Sequence, residues 1–235
     1  MVKDKTIAII PARGGSKRIP RKNIIDFFGK PLIAYTIEAA INSKIFDKVI
    51  VSTDDEEIAD ISKKYGAEVP FLRDIHADDY SNVSDVIIST LTRLELEKNE
   101  KYQNVFMLMP NCPIRDEEDI QQHFEAFQTN NRNFQISGFE YGWMNPWWAH
   151  TMDDSAKATP FFKEALTKRS QDLDKLYCPT GAIWIASVSE IYKSKTFYGP
   201  DFHFSLLNWK SAVDIDDYDD LEMAKAIYLV KNNNT

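Results

Sequence analysis

The sequence has 235 residues and a formal net charge of −8, with 43% hydrophobic and 27% charged side chains. These proportions suit a single globular domain over residues 1–235, and no apolar run approaches the roughly 20 residues that cross a bilayer. The acidic balance argues against general nucleic-acid binding, the N-terminus lacks a secretory pattern and predicts a cytoplasmic protein, and two separated cysteines predict neither a disulfide framework nor a zinc site.

Short apolar runs alternate with amphipathic helical stretches along the chain, which is typical of an α/β fold with a mostly parallel sheet flanked by helices. The pattern predicts strands at 6–11, 48–52, 105–109, 135–139, 182–185 and 212–215. It predicts helices over about 32–41, 54–64, 83–94 and 120–127, and another that begins near residue 217. Asp54 is the predicted cap of the second helix, and Gly66 its left-handed stop.

A basic loop follows the first predicted strand. Residues 13–30 contain six cations and one acid, a net charge of +5 in an acidic chain. Gly14 and Gly15 permit backbone conformations that let N–H groups turn toward an anion, while Arg13, Lys17 and Lys22 supply full charges. The loop therefore predicts a polyphosphate site, and the alternative is a solvated basic loop.

A second feature is an aromatic stretch that interrupts the alternation. Trp143, Trp147 and Trp148 fall within six residues, broken by Pro146, and are costly to leave in water. Residues 140–165 therefore form either a local mini-core or an arm that packs on a second subunit, and we favour the arm of a homodimer.

A pair of carboxylates lies in the C-terminal part of the sequence. Asp214 and Asp216 are two residues apart, so an extended backbone would point both to one face. Hard oxygen ligands suit Mg²⁺ beside phosphates, and Mn²⁺ as a substitute. The neighbouring Asp217, Asp219 and Asp220 are expected to cap the following helix instead.

Together, the loop and the carboxylates resemble the acylneuraminate cytidylyltransferase family, whose members make CMP-activated nonulosonic sugars. The resemblance runs along nearly the whole chain through an ordered series of motifs. They are Ile10-Pro11-Ala12-Arg13-Gly14-Gly15-Ser16-Lys17, Pro20-Arg21-Lys22-Asn23, Gly29-Lys30-Pro31-Leu32-Ile33, Val51-Ser52-Thr53-Asp54, Ala77-Asp78-Asp79, Pro110-Asn111-Cys112-Pro113-Ile114-Arg115, Arg169-Ser170-Gln171-Asp172-Leu173, Gly181-Ala182-Ile183 and Asp214-Ile215-Asp216.

The resemblance implies a Rossmann-like nucleotidyltransferase that transfers CMP from CTP to the anomeric hydroxyl of a nonulosonic acid, for surface glycan synthesis. Its implied catalytic residues are Arg13, Lys22, Asp214 and Asp216, the two aspartates being the metal ligands. Its implied CTP site comprises Ala12, Arg13, Gly14, Ser16, Lys17, Lys22, Asn23, Arg73, Asn82 and Ser84. Asn82 and Ser84 could equally cap the following helix, and the proton acceptor is either a metal-bound hydroxide or an aspartate.

The implied acceptor pocket is less polar than that of relatives specific for N-acetylneuraminate. It comprises Met109, Asn111, Arg169, Gln171, Cys178 and Thr180. Met109 and Cys178 stand where those relatives carry glutamine and arginine, which favours a deoxygenated sugar of the legionaminic or pseudaminic type. Arg169 is suited to the sugar carboxylate, and its alternative is a solvated helix or loop end.

Three rival readings remain. A 3-deoxy-manno-octulosonate cytidylyltransferase usually lacks the Gly-Gly-Ser-Lys opening, and a noncatalytic nucleotide-sugar binding protein would not need the Asp214 and Asp216 pair. A dehydrogenase would need the Gly-x-Gly-x-x-Gly pattern that is missing after the first strand.

Overall fold

The computed structural model describes residues 5–75 and 82–233. In these residues the strands are β1 (Thr6–Pro11), β2 (Asp26–Phe27), β3 (Lys30–Pro31), β4 (Lys48–Ser52), β5 (Asn104–Met107), β6 (Phe134–Glu140), β7 (His150–Met152), β8 (Ala158–Pro160), β9 (Tyr177–Ser187) and β10 (His203–Leu206). The α-helices are α1 (Leu32–Asn42), α2 (Glu56–Lys64), α3 (Val83–Lys98), α4 (Glu117–Thr129), α5 (Val188–Ser194) and α6 (Tyr218–Asn233). Within this part of the chain, no helix combines the length and the apolar character that crossing a membrane requires.

A six-stranded sheet forms the centre of the molecule, in the order β10-β6-β9-β5-β1-β4. Strand β9 runs antiparallel to both of its neighbours, and the other adjacent pairs are parallel. Helices cover both faces of this sheet, so the predicted α/β class with a mostly parallel sheet is confirmed. Two-stranded ribbons, β2 with β3 and β7 with β8, lie outside it.

Strand β1 is buried on both faces, which explains why its sequence is a continuous apolar run. Ala8 and Ile10 pack in one core cluster with residues of α1, α2 and α4, while Ile7 and Ile9 pack in another with residues of α3 and α5. Alternate side chains leave opposite faces of a strand, and both faces are covered here. All four side chains are therefore fully buried.

The predicted strand at 212–215 is wrong, and the sixth strand is β10, which pairs with β6 at the sheet edge. The apolar residues of that segment, Val213 and Ile215, pack instead in a third core cluster with Leu221 of α6. Their alternation reflects burial under a helix rather than sheet pairing.

Two local predictions have mixed outcomes. Asp55, not Asp54, caps α2: its side chain accepts from the backbone N–H of Ile58 at 3.0 Å. Gly66 follows this helix with a φ of +97°, which confirms the left-handed stop.

Candidate active site

The carboxyl ends of three neighbouring parallel strands meet at one edge of the sheet. In the register, Pro11 of β1 lies opposite Ser52 of β4, and Ile9 lies opposite Met107 of β5. The segments that follow these strands therefore begin side by side, which is where open α/β sheets bind ligands.

The basic loop is anchored to the segment that follows β4. The backbone N–H of Ala12 donates to Ser52 at 2.9 Å, and that of Gly14 donates to the Asp54 carboxylate at 2.9 Å. Within the loop, Asn23 is buried and its side-chain amide donates to the backbone oxygen of Arg13 at 2.9 Å. These hydrogen bonds fix the start of the loop to the segment after β4 and link Asn23, further along the loop, back to Arg13.

Gly14 is required for space rather than for backbone freedom. Neither Gly14 nor Gly15 adopts a positive φ, so the prediction that they supply backbone conformations that larger residues resist is wrong. A Cβ at Gly14 would lie 2.7 Å from Oδ2 of Asp55, whereas one at Gly15 would meet nothing within 4 Å. The loop approaches the start of α2 too closely for a side chain at Gly14.

Arg21 makes the second tie between the loop and α2. It adopts a left-handed backbone conformation with a φ of 58°, and its guanidinium pairs with the carboxylates of Asp55 and Glu57. The Arg21 hydrogen bond is the largest influence that lowers the pKa of Asp55, against the smaller opposing effect of burial. Asp55 therefore serves both the loop and the helix cap.

Other cations of the predicted CTP site lie beside this anchor. The Arg73 guanidinium is 3.8 Å from Asp54. Burial lowers the pKa of Arg73, the charge of Arg13 lowers it further, and Asp54 opposes both. Two arginines close enough to affect each other form a region that an anion would stabilise. Ser16 is half-buried and Lys17 exposed on the same loop.

The carboxylate segment, residues 212–216, lies against the basic loop. Lys22 Nζ donates to Oδ1 of Asp216 at 2.9 Å, and Arg18 Nη2 lies 2.8 Å from Oδ2. Burial acts to raise the pKa of Asp216, but these two cations outweigh it and lower that pKa. For Asp214, burial raises the pKa, and the charge of Asp216 raises it further. The two carboxylates are thus near enough to repel each other.

Asp217 and Asp220 accept hydrogen bonds from backbone N–H groups at the start of α6, as predicted for these two acids. Oδ1 of Asp217 accepts from the backbone N–H groups of Asp219 and Asp220 at 3.0 and 3.1 Å. The Asp220 carboxylate also accepts a hydrogen bond from the backbone N–H of Asp216 at 2.9 Å.

Asn111 and Thr180, both predicted to line the sugar pocket, bond to the backbone of the carboxylate segment. The Asn111 amide donates to the carbonyl of Ile215 at 3.0 Å, and the Thr180 hydroxyl donates to that of Ala212 at 3.1 Å. Asn111 is 2% exposed and Thr180 is 7% exposed. The amide nitrogen of Asn111 and the hydroxyl of Thr180 are therefore occupied inside the protein.

The predicted base contacts have structural partners. Asn82 caps α3 by accepting from the N–H of Ser84 at 3.0 Å, which realises the capping alternative for this residue. The Ser84 hydroxyl is buried and accepts from the N–H of Phe197 at 3.4 Å. The Ala77-Asp78-Asp79 motif lies outside the described residues.

The other predicted sugar contacts occupy two places. Arg169 precedes a short 3-10 turn and Gln171 lies within it, and both are exposed. The Arg169 guanidinium pairs with both oxygens of Asp172 at 2.8 and 3.1 Å. Met109 and Cys178 are half-buried, after β5 and on β9.

Sequence reasoning missed the parts of this site that depend on tertiary contacts. Arg18, one of the six cations of residues 13–30, is exposed, yet its guanidinium lies 2.8 Å from the Asp216 carboxylate. The sequence predicts Asp54 only as a helix cap, whereas its carboxylate accepts from the Gly14 N–H and faces Arg73. An acid directly after a buried parallel strand is the signal that points to this second role.

Comparison with known proteins shows the family of this chain. Residues 7–199 match the sequence model of the family described as Cytidylyltransferase. Over 231 residues the chain is 39% identical to a pseudaminic acid cytidylyltransferase of Campylobacter jejuni, covering 97% of this chain and 98% of that protein. It is 34% identical over 222 residues to a CMP-N,N'-diacetyllegionaminic acid synthase of Legionella pneumophila, covering 90% and 91% of the two chains. The chain belongs to the cytidylyltransferase family, among the members that act on nonulosonic acids.

A solved structure of CMP:2-keto-3-deoxy-manno-octonic acid synthetase, complexed with CTP, has the same fold. It aligns with a TM-score of 0.69 at 16% identity, over 97% of this chain and 99% of that one. The likeness confirms the Rossmann-like nucleotidyltransferase architecture.

Proposed function

We propose that this enzyme transfers CMP from CTP to pseudaminic acid and releases pyrophosphate. One observation carries the proposal for the site: Lys22 of the basic loop touches Asp216 of the carboxylate segment at 2.9 Å. The contact brings the group suited to phosphates next to the group suited to a metal ion, which is the pairing that nucleotidyl transfer requires.

The basic loop is the proposed triphosphate site. Attack at the α-phosphorus develops negative charge on the nonbridging oxygens and on the departing pyrophosphate. Arg13, Lys17 and Lys22 supply fixed positive charge to these oxygens, and Ser16 supplies a hydroxyl donor. Because the loop is anchored through Gly14 and Arg21, this charge is in place before the reaction begins.

Asp214 and Asp216 are the proposed ligands of Mg²⁺. Their donor set fits, because the charge of Asp216 raises the pKa of Asp214 and a cation between them would relieve that repulsion. Within the described residues no three His, Cys, Asp or Glu side chains cluster as a metal site, so water and substrate phosphates would complete the coordination. When bound, Mg²⁺ stabilises charge on the phosphates.

A pseudaminic-type acceptor fits the composition of the predicted sugar pocket. The hydroxyl of Thr180 and the amide nitrogen of Asn111 already donate to backbone carbonyls, so neither is available to donate to a sugar. Met109 and Cys178 are less polar members of the same predicted pocket. A site without hydrogen-bond partners leaves sugar hydroxyls desolvated and favours a deoxygenated sugar. The 39% identity to a pseudaminic acid cytidylyltransferase supports the same choice. Arg169 and Gln171 are proposed to bind the sugar carboxylate.

The aromatic arm is proposed to pack on a second copy of the chain. Trp147 stacks edge-on with Phe162 at 5.0 Å and its indole N–H donates to the backbone of Asp174, so part of the arm is a local cluster. Trp143 is 86% exposed, with Met144 and Phe161 also exposed. These side chains need a cover that the single chain does not provide.

Pyrophosphate release tests the activity directly. Each of the four nucleoside triphosphates is combined with pseudaminate, legionaminate and N-acetylneuraminate, with Mg²⁺ or with chelator. We expect release with CTP and Mg²⁺, and a fall of at least about 10²-fold in Asp214→Asn and Asp216→Asn, as for other lost electrostatic groups. Release with another nucleotide, or near-wild-type rates in both variants, would overturn the proposal.

A further inference from the structure

The carboxylate segment needs support from outside the sheet. Residues 212–216 belong to no strand, so their peptide groups lack the ladder of hydrogen bonds that fixes an ordinary strand. The site nevertheless depends on this backbone, because it carries both Asp214 and Asp216. The groups that bond to it determine where the two carboxylates lie.

Asn111 bonds to both backbone polar groups of Ile215, the residue between the two aspartates. The N–H of Ile215 donates to the backbone oxygen of Asn111 at 2.9 Å, and the Asn111 side-chain amide donates to the carbonyl of Ile215 at 3.0 Å. This two-point contact fixes position and rotation together. A single bond would leave the segment free to turn about it.

The same carbonyl also connects to the basic loop. Lys22 Nζ donates to the Ile215 oxygen at 2.8 Å while it binds Asp216. Asn111 therefore aligns the acceptor that helps to place Lys22 as well as the backbone of the two aspartates.

Burial argues against direct contact between the Asn111 side chain and a sugar. Asn111 is almost completely enclosed, and its Oδ1 is a buried atom without a hydrogen-bond partner among the described residues. This oxygen has almost no accessible surface, so an atom outside the protein does not contact it in this structure. The amide is thus placed for the protein backbone.

We infer that Asn111 is a positioning residue that sets the geometry of Asp214 and Asp216, and not a sugar contact. The inference rests on the proposed metal role of these aspartates. It reassigns a residue that sequence similarity places in the acceptor pocket.

Asn111→Leu tests the inference, with Asn104→Leu as the matched control. Leucine keeps the approximate size of asparagine but cannot donate to Ile215. Asn104 is a half-buried asparagine at the opposite, amino end of β5. Lys22 still satisfies the Ile215 carbonyl in the variant, so we expect it to fold. If circular dichroism shows otherwise, Asn111→Ser takes its place, since it also removes the amide.

The first measurement is Mn²⁺ affinity in the presence of CTP and without acceptor, followed by electron paramagnetic resonance. We expect the dissociation constant to rise about tenfold in Asn111→Leu, the equivalent of one lost hydrogen bond, and to stay unchanged in Asn104→Leu. This readout involves no sugar. It therefore decides the inference even if the wild-type enzyme fails to use pseudaminate.

Steady-state kinetics provide the second measurement. We expect kcat of Asn111→Leu to fall about tenfold, and by the same factor for every acceptor used. The acceptor KM should stay within about twofold of wild type. Unchanged Mn²⁺ affinity would overturn the inference. So would an increase confined to the acceptor KM, which is the signature of a sugar contact.

Discussion

At the scale of single residues, Asp216 pairs with two cations that differ in solvent exposure. The Lys22 side chain is 15% exposed, whereas that of Arg18 is 63% exposed. Water and salt screen the Arg18 pair, so it contributes little to binding or stability. Lys22 lies deeper, contacts two groups of the carboxylate segment, and belongs to the proposed triphosphate site.

These environments predict different effects of removing each cation. Lys22→Ala should lower kcat about 10²-fold at saturating CTP, because a fixed charge near the phosphates is lost. Arg18→Ala is the matched control and should lower kcat by less than about fivefold. Equal losses in the two variants would contradict the separate roles.

Gly14 gives a second prediction at this scale. In Gly14→Ala the new methyl group must displace Asp55, which lies 2.7 Å from its position, so we expect a loss of about 1 to 3 kcal/mol in the free energy of unfolding. Gly15→Ala has open space and should unfold like wild type. Denaturant titration of both proteins makes the comparison, and identical midpoints would show that the loop is not as tightly placed as the structure indicates.

At the scale of elements, the sequence predicts strands best where both faces are buried. The predictions for β1 and β4 match their observed bounds, because continuous Ile, Val and Ala runs occur in central parallel strands. Segment 212–215 shows the same apolar character but packs under α6, a contact that no local pattern reveals.

The antiparallel direction of β9 is likewise not encoded locally. Its observed span, Tyr177–Ser187, is longer than the predicted 182–185 because it bridges β5 and β6 on its two sides. In the site, charges and motif residues were recognisable from the sequence. The contacts from Asn111 and Arg18 to the carboxylate segment arise only once distant segments meet.

The Arg21–Asp55 tie predicts a pH-dependent stability. Because the folded-state pKa of Asp55 is lowered below its unfolded value of about 3.9, its contribution is present above that value and is lost as pH falls through the folded pKa. Asp55→Asn keeps a capping oxygen but removes the charge. It should be about 1 kcal/mol less stable than wild type at pH 6.

The same comparison at acid pH completes this test. The difference between Asp55→Asn and wild type should shrink as the pH is lowered below about 4. Asp60→Asn, an exposed carboxylate on the same helix, should match wild type at both pH values. A difference for Asp55→Asn that does not change with pH would contradict an ionic role.

At the scale of the whole molecule, charge and apolar surface are both unevenly distributed. The basic loop concentrates positive charge at one edge of the sheet in a chain of net charge −8. The arm, residues 140–165, concentrates exposed aromatic and methionine side chains, including Trp143. The first distribution suits an anionic substrate, and the second suits an interface.

The arm predicts a homodimer in solution. Light scattering at tens of micromolar should give twice the 27.1 kDa of one chain, and Trp143→Glu should shift the mass toward the monomer because it buries a charge in the interface. Lys101→Glu, an exposed change outside the arm, serves as the control and should leave the mass unchanged. A fully active wild-type monomer would contradict the proposal.

The choice of acceptor tests the central claim most directly. The enzyme is given CTP, Mg²⁺ and equal concentrations of pseudaminate, legionaminate and N-acetylneuraminate, and the initial CMP-sugar products are quantified by mass spectrometry. Their ratio reports relative kcat/KM. We expect CMP-pseudaminate to be the main product, exceeding CMP-N-acetylneuraminate by about tenfold or more, the equivalent of one lost hydrogen bond. A predominance of CMP-N-acetylneuraminate, or formation of no CMP-sugar at all, would contradict the account.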